Sequence, residues 1–167
     1  MVNENSGNPS SLMSENKSNN NRYGFFTSPV VLIRLCSILF VGLMIGHMSA
    51  YPWTSNKTVK ETQLVGTMKS VDLVFFGEHT SLWDLYFGWG LWVAVLLLTL
   101  AIILWILSDL AHVSPQRIGA IIGIISATGL AGAYFSFRFF HIFPSVIMLS
   151  VISIILLPAG VQLMRRT

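Results

Sequence analysis

Charged side chains are scarce in this sequence. Asp, Glu, Lys and Arg make up 10% of its 167 residues, against about 25% in soluble globular proteins, whereas hydrophobic residues make up 53%. So few charges cannot cover the surface of a soluble domain of this length. The single cysteine, Cys36, excludes an internal disulfide framework and a zinc site of the CxxC type.

Several functional motifs are missing as well. The sequence contains no GxSxG, no glycine-rich phosphate loop, no HExxH and no HxxxH. Its net charge is +3, but the basic residues are scattered at the ends of apolar runs. They therefore do not form the continuous basic face that binding to nucleic acid requires. We therefore expect no nucleic-acid partner and no cofactor, and favour a non-catalytic protein over an enzyme.

Long and mostly uncharged runs are what the sequence does have. Four of them would, at about 1.5 Å per residue, cross a hydrocarbon core of about 30 Å as α-helices. Ser81 and Ser114 are candidate helix caps, and Pro29, Pro115 and Pro144 suit a first helical turn. The predicted fold class is an all-α integral membrane four-helix bundle, with spans at about 30–50, 84–108, 116–138 and 142–164.

Two segments lie outside these spans. Residues 1–28 are rich in Asn and Ser and are expected to form a disordered polar tail ahead of a transmembrane domain at 29–167. In the outer connection, 51–83, apolar residues recur at near-helical spacing between positions 56 and 76. An amphipathic helix is expected there, on the periplasmic or extracellular side, lying on the membrane or capping the bundle.

The basic residues suggest an orientation. Four spans place both termini on one side, and the six basic residues on that side outnumber the four on the other. Since basic residues concentrate in short cytoplasmic segments, we expect a multi-pass protein of the cytoplasmic membrane with both termini in the cytoplasm and the lipid bilayer as its partner. The two groups are Lys17, Arg22, Arg34, Arg117, Arg165 and Arg166, against Lys57, Lys60, Lys69 and Arg138.

Small residues recur in the third span. Gly119 and Gly123 form a GxxxG pair, and Gly129 and Ala133 follow at the same spacing. Such stripes allow two helix backbones to approach closely. Tight packing within one bundle is the favoured interpretation, and a homo-oligomer through this face is the alternative.

Ionisable groups at membrane depth are costly, so each one is a functional candidate. The candidates lie towards the outer ends of the spans, and a bundle brings them to one face. Arg138 and His141 would share a helix side if the third span extends that far, and Arg138 would then reach Asp84 as an ion pair. The candidate ligand-binding residues are His47, Glu78, His79, Trp83, Asp84, Tyr86, Arg138 and His141.

Three functions remain open for this cluster. The favoured hypothesis is a non-enzymatic membrane protein whose outer face binds a small molecule or lipid, the polar residues otherwise holding helix ends in register at headgroup level. A membrane-embedded redox or metal-binding enzyme subunit would instead use His47, His79 and His141. A small transporter or accessory subunit would have to act as an oligomer, since the middles of the last three spans carry no charge.

Two short motifs occur near the ends of the first connection: Gly46-His47 followed by Pro52-Trp53-Thr54, and Trp83-Asp84-Leu85-Tyr86-Phe87-Gly88. They resemble the patterns GHxxGHPWTP and WDFYxGFG of a family of small bacterial four-helix membrane proteins. Ser49-Ala50-Tyr51 replaces the second glycine and histidine of the first pattern. The resemblance covers roughly residues 30–160. It implies a bacterial cytoplasmic membrane but no activity.

Overall fold

The computed structural model describes residues 28–50 and 58–166. The predicted tail lies outside them apart from residue 28, as does Pro52-Trp53-Thr54. The described elements are α1 (Pro29–Ala50), α2 (Val59–Ser70), β1 (Asp72–Phe75), β2 (Glu78–Ser81), α3 (Leu82–Leu110), α4 (Pro115–Phe135), a π-helical turn (Ser136–Phe140) and α5 (Phe143–Met164).

Four helices are long and apolar enough to cross a membrane, as predicted. These stretches are Pro29–Ser49, Leu82–Leu110, Pro115–Phe140 and Phe143–Met164, each within two residues of its predicted bounds. No more than 33% of any apolar window is buried inside the protein. Most of their apolar surface therefore faces outward, where hydrocarbon suits it better than water.

Only some of the predicted helix caps are present in the structure. The Ser81 hydroxyl accepts a hydrogen bond from the Asp84 amide (3.0 Å) and donates one to the Asp84 carboxylate (2.6 Å), so the predicted cap of α3 is confirmed. Pro115 occupies the first turn of α4, but Ser114 makes no side-chain cap bond. A capping box at α2, formed by Thr58 and Glu61, was not predicted although it has the usual spacing.

Polar contacts run along the antiparallel pair α1 and α3. Arg34, near the start of α1, meets Asp109 near the end of α3, while His47, near the end of α1, meets Gly90 in the first half of α3. Between them the buried Ser37 hydroxyl donates to the Ala101 carbonyl (2.7 Å), which satisfies its hydrogen-bonding need away from water. The two helices are therefore fixed at both ends.

Small residues bring α4 and α5 together. A Cβ added to Gly119 would lie 2.6 Å from the Gly160 carbonyl oxygen, and one added to Gly129 would collide with the Ser153 hydroxyl. The buried Ser126 hydroxyl donates to the Ser153 carbonyl (2.9 Å) across the same contact. The small-residue stripe is thus used for packing within the chain. A homo-oligomer stays a prediction, and the faces of Gly119 and Gly129 are already occupied by α5.

Three of the four helix pairs around the bundle are closely packed. α1 contacts both α3 and α5, and α5 contacts α4, whereas α3 and α4 touch little although only Ala111–Ser114 separates them. The bundle has two ends. We call the one that contains the first turn of α1 and the α3–α4 connection the inner end, and the one that contains α2 and the two strands the outer end. The start of α1 and the end of α5 lie together at the inner end, because Arg34 reaches Asp109 and Gly119 meets Gly160 and Met164.

The connection at the outer end is only partly helical. α2 stops at Ser70, and β1 and β2 pair antiparallel from Asp72↔Ser81 to Phe75↔Glu78. The helix predicted across 56–76 is therefore wrong beyond Ser70. Phe76 and Gly77, with φ angles of 53° and 89°, form the two-residue turn between the strands.

Candidate binding site at the outer end

His47 is held between two helices. It lies half-buried in the last turn of α1, and its Nε2 is 2.9 Å from the carbonyl oxygen of Gly90 in α3. A carbonyl only accepts hydrogen bonds, so Nε2 carries the proton in this contact. His47 therefore ties α1 to α3 where both approach the outer end.

Aromatic residues crowd the start of α3. The ring of Trp83 lies 5.9 Å from that of Tyr86 and 6.4 Å from that of Phe87, between centroids. The Lys69 ammonium at the end of α2 lies 5.5 Å from the Trp83 ring centroid, in a cation–π contact. Since the Leu82 amide also donates to the Val71 carbonyl (3.1 Å), α2 and the hairpin are attached directly to the first turn of α3.

The hairpin carries two further candidates. His79 Nδ1 lies 2.8 Å from the Asp72 carboxylate, and the contact is an ion pair only when His79 is protonated. Because both side chains are exposed to solvent, the contact contributes little to stability. Glu78 is exposed beside the hairpin turn. These side chains lie on the connection between α1 and α3, outside the helices of membrane length.

Arg138 and His141 lie at the corner between α4 and α5. Arg138 belongs to the π-helical turn, and its guanidinium carbon is 5.6 Å from the Phe139 ring centroid. His141 ends this turn with a φ angle of 54°, in the left-handed region that is uncommon for residues other than glycine. The helix predicted to place Arg138 and His141 on one side therefore does not continue to His141.

The predicted cluster divides into two groups. One group joins α1, α3 and the hairpin; the other occupies the corner between α4 and α5, which contacts those two helices rather than α3. The predicted ion pair between Arg138 and Asp84 is absent from the described residues. Asp84 is hydrogen-bonded to Ser81 instead, and Arg138 lies over the Phe139 ring. The weak packing between α3 and α4 explains the separation.

A polar cluster that was not predicted lies at the inner end. Arg34 donates to the Asp109 carboxylate (2.6 Å) and to the Ser108 hydroxyl (3.2 Å), and its guanidinium carbon lies 5.3 Å from the Trp105 ring centroid. The signal was present: an arginine a few residues into one apolar run and an aspartate near the end of another lie at the same end of a four-span bundle. Arg34 is thereby paired with a counter-ion between α1 and α3.

The arrangement offers little to a metal ion. Among residues 28–50 and 58–166, no three His, Cys, Asp or Glu side chains are grouped closely enough to hold one. His47, His79 and His141, which the redox alternative requires, belong to α1, the hairpin and the corner between α4 and α5.

No family model matches the chain, and no curated protein or solved structure matches it either. The resemblance to small bacterial four-helix membrane proteins stays a prediction.

Proposed function

We propose that the chain is a non-enzymatic multi-pass protein of a bacterial cytoplasmic membrane, with both termini in the cytoplasm, and that its outer end binds the phosphate group of an anionic phospholipid. The binding site is supported by the surroundings of Arg138, which is exposed and has no carboxylate partner among the described residues. The proposal includes the cytoplasmic side of the termini, the bacterial membrane and membership of the family of small four-helix membrane proteins.

The two arginines at opposite ends of the helices differ in their counter-ions. Arg34 at the inner end is paired with Asp109 at 2.6 Å, whereas Arg138 contacts a ring face. A guanidinium near hydrocarbon is stabilised by an anion, and its planar donors fit two oxygens of a phosphate. In a bilayer, the anions available at that depth are the phosphates of lipid headgroups.

The residues around Arg138 suit an amphipathic ligand. The Phe135 and Phe139 rings lie 6.1 Å apart, and those of Phe137 and Phe143 lie 6.5 Å apart, between centroids. All four rings are more than half exposed. Aromatic side chains of this kind favour the boundary between headgroups and acyl chains, so charge and apolar surface are offered together.

The test compares Arg138→Gln with Arg117→Gln, which removes an exposed arginine near the inner end. Wild type and both variants, purified in neutral detergent, are titrated with phosphatidylglycerol, phosphatidylcholine or inorganic phosphate. Bound lipid is counted by native mass spectrometry, and thermal unfolding is measured in parallel. We expect phosphatidylglycerol to bind and to raise the unfolding temperature of wild type and Arg117→Gln, and both effects to be lost in Arg138→Gln.

Two results would reject this proposal. Equal phosphatidylglycerol binding by Arg138→Gln and wild type would show that Arg138 holds no headgroup. Stabilisation by inorganic phosphate, with no retention of phosphatidylglycerol, would indicate a site for a soluble anion.

A further inference from the structure

Acidic residues are missing from the second half of the bundle. No aspartate or glutamate follows Asp109 in the sequence, so α4, the π-helical turn and α5 carry none. The π-helical turn packs mainly on α4 and α5. Arg138 and His141, both exposed at this corner, therefore have no counter-ion on the elements that hold them, and neither forms an ion pair within the described parts of the chain.

The backbone of this corner departs from a regular helix at both residues. Arg138 lies in the middle of the π-helical turn, and His141 follows it with a φ angle of 54°. π-helical turns are frequent at functional sites, and glycine fits a positive φ more easily than a residue with a side chain. Irregular backbone of this kind is concentrated at sites that hold ligands. Here it places two basic side chains three residues apart, between two helices of membrane length.

The lengths of α4 and α5 indicate the depth of the two residues. Arg117 and Arg138 are 21 positions apart, which corresponds to about 30 Å of helix, the thickness of a hydrocarbon core. α5, with 22 residues, is bounded in the same way by His141 and Arg165. If α4 and α5 cross the bilayer, Arg138 and His141 lie at its outer boundary, where the phosphate groups of lipids are found.

Two basic side chains without acidic neighbours suit a phosphate with more than one negative charge. A phosphate monoester has a charge of about −1.5 to −2 at pH 7 and three terminal oxygens, whereas the diester of phosphatidylglycerol has one charge and two such oxygens. The Arg138 guanidinium can bind two oxygens through parallel hydrogen bonds. The His141 ring keeps at least one N–H donor in either tautomer, which suits the third oxygen of a monoester.

We infer that the preferred ligand of this corner is a phosphomonoester lipid of the phosphatidic acid type, with Arg138 and His141 both bound to its phosphate. The inference rests on the proposed lipid site at Arg138 and names the class of headgroup that this site prefers. Arg138 binds either kind of anionic headgroup, whereas His141 distinguishes the monoester from the diester.

The test compares phosphatidic acid with phosphatidylglycerol of the same acyl chains, on protein in neutral detergent. His141→Gly removes the imidazole, and glycine suits a φ angle of 54°, so the fold is retained. His112→Gly is the matched control, because it removes an exposed histidine from the connection at the inner end. Wild type and Arg138→Gln complete the set, and glycerol phosphate serves as a soluble monoester. Bound lipid is counted by native mass spectrometry, and thermal unfolding is measured in parallel.

We expect wild type and His112→Gly to bind phosphatidic acid about tenfold more tightly than phosphatidylglycerol, which is the effect of one further hydrogen bond to a charged group. His141→Gly should bind both lipids equally, and Arg138→Gln should bind neither. Without lipid, His141→Gly should unfold at the same temperature as wild type or at a higher one, which separates the loss of preference from a loss of structure.

Three results would overturn the inference and leave the lipid site at Arg138 intact. They are equal binding of the two lipids by wild type, a preference for phosphatidic acid that persists in His141→Gly, and a loss of preference in His112→Gly as well. Stabilisation by glycerol phosphate that matches the effect of phosphatidic acid would overturn it in favour of a soluble phosphate ester. Binding of both lipids by Arg138→Gln as by wild type would instead reject the proposed site itself.

Discussion

Gly119 and Gly123 belong to the same GxxxG pair, yet alanine should affect them differently. A Cβ at Gly119 would lie 2.6 Å from the Gly160 carbonyl oxygen and 2.9 Å from the Met164 amide nitrogen, whereas one at Gly123 would meet nothing within 4 Å. Backbone atoms cannot rotate away as a side chain can, so α4 and α5 would have to separate. We therefore expect Gly119→Ala to destabilise the protein and Gly123→Ala to be tolerated.

The size of the effect follows from comparing these two variants. Overpacking costs about 1–3 kcal/mol. Alanine also favours the helix over glycine by about 1 kcal/mol, but this term is shared by both variants and cancels in their difference. Gly119→Ala should thus be about 1–3 kcal/mol less stable than Gly123→Ala.

The free energy of unfolding can be measured in mixed micelles by titration with sodium dodecyl sulfate, followed by circular dichroism. Gly160→Ala is a second test of the same contact, because its Cβ would lie 2.9 Å from the Gly119 carbonyl oxygen. Equal stability of Gly119→Ala and Gly123→Ala, or a lower stability of Gly123→Ala, would refute the close crossing of α4 and α5.

Two further predictions concern the polar contacts between α1 and α3. Asp109→Asn should lower the free energy of unfolding by about 1 kcal/mol because Arg34 loses its counter-ion, and the effect stays small because both side chains are about half exposed. A double-mutant cycle with Arg34→Gln, measured by the same titration, should show a coupling energy between the two residues. Additive effects of the two substitutions would contradict the ion pair. His47→Leu should cost about 1 kcal/mol by removing the donor to the Gly90 carbonyl, and His47→Gln should restore part of it. Equal losses in the two His47 variants would argue against that hydrogen bond.

The sequence was sufficient for the long helices and their order. Apolar runs of at least 20 residues have few alternatives to a helix that crosses a membrane, and Ser81 marks the start of α3 by its spacing to Asp84. The hairpin was not predicted, because Val71, Val74 and Phe75 fit helical spacing as well as a strand. Only the turn at Phe76 and Gly77 decides between them.

The candidate site was predictable in its residues but not in its grouping. Hydropathy places His47, Asp84 and Arg138 towards the outer ends of their helices, yet it does not tell which helices pack together. Gly119 and Gly160 bring α4 and α5 into contact, and α3 is held to α1, so Arg138 and Asp84 lie in different groups. Pairing between distant segments depends on such local fits, which one sequence does not reveal.

The central claim is that four helices cross the membrane, with α2 and the hairpin on one side and the inner end on the other. Thr67→Cys in α2 and Val113→Cys in the α3–α4 connection, both exposed positions, test it in a Cys36→Ser background. Intact cells are treated with a membrane-impermeant maleimide before and after permeabilisation. We predict labelling of Thr67→Cys in intact cells and of Val113→Cys only after permeabilisation; the same accessibility for both, or the reverse pattern, would contradict the account.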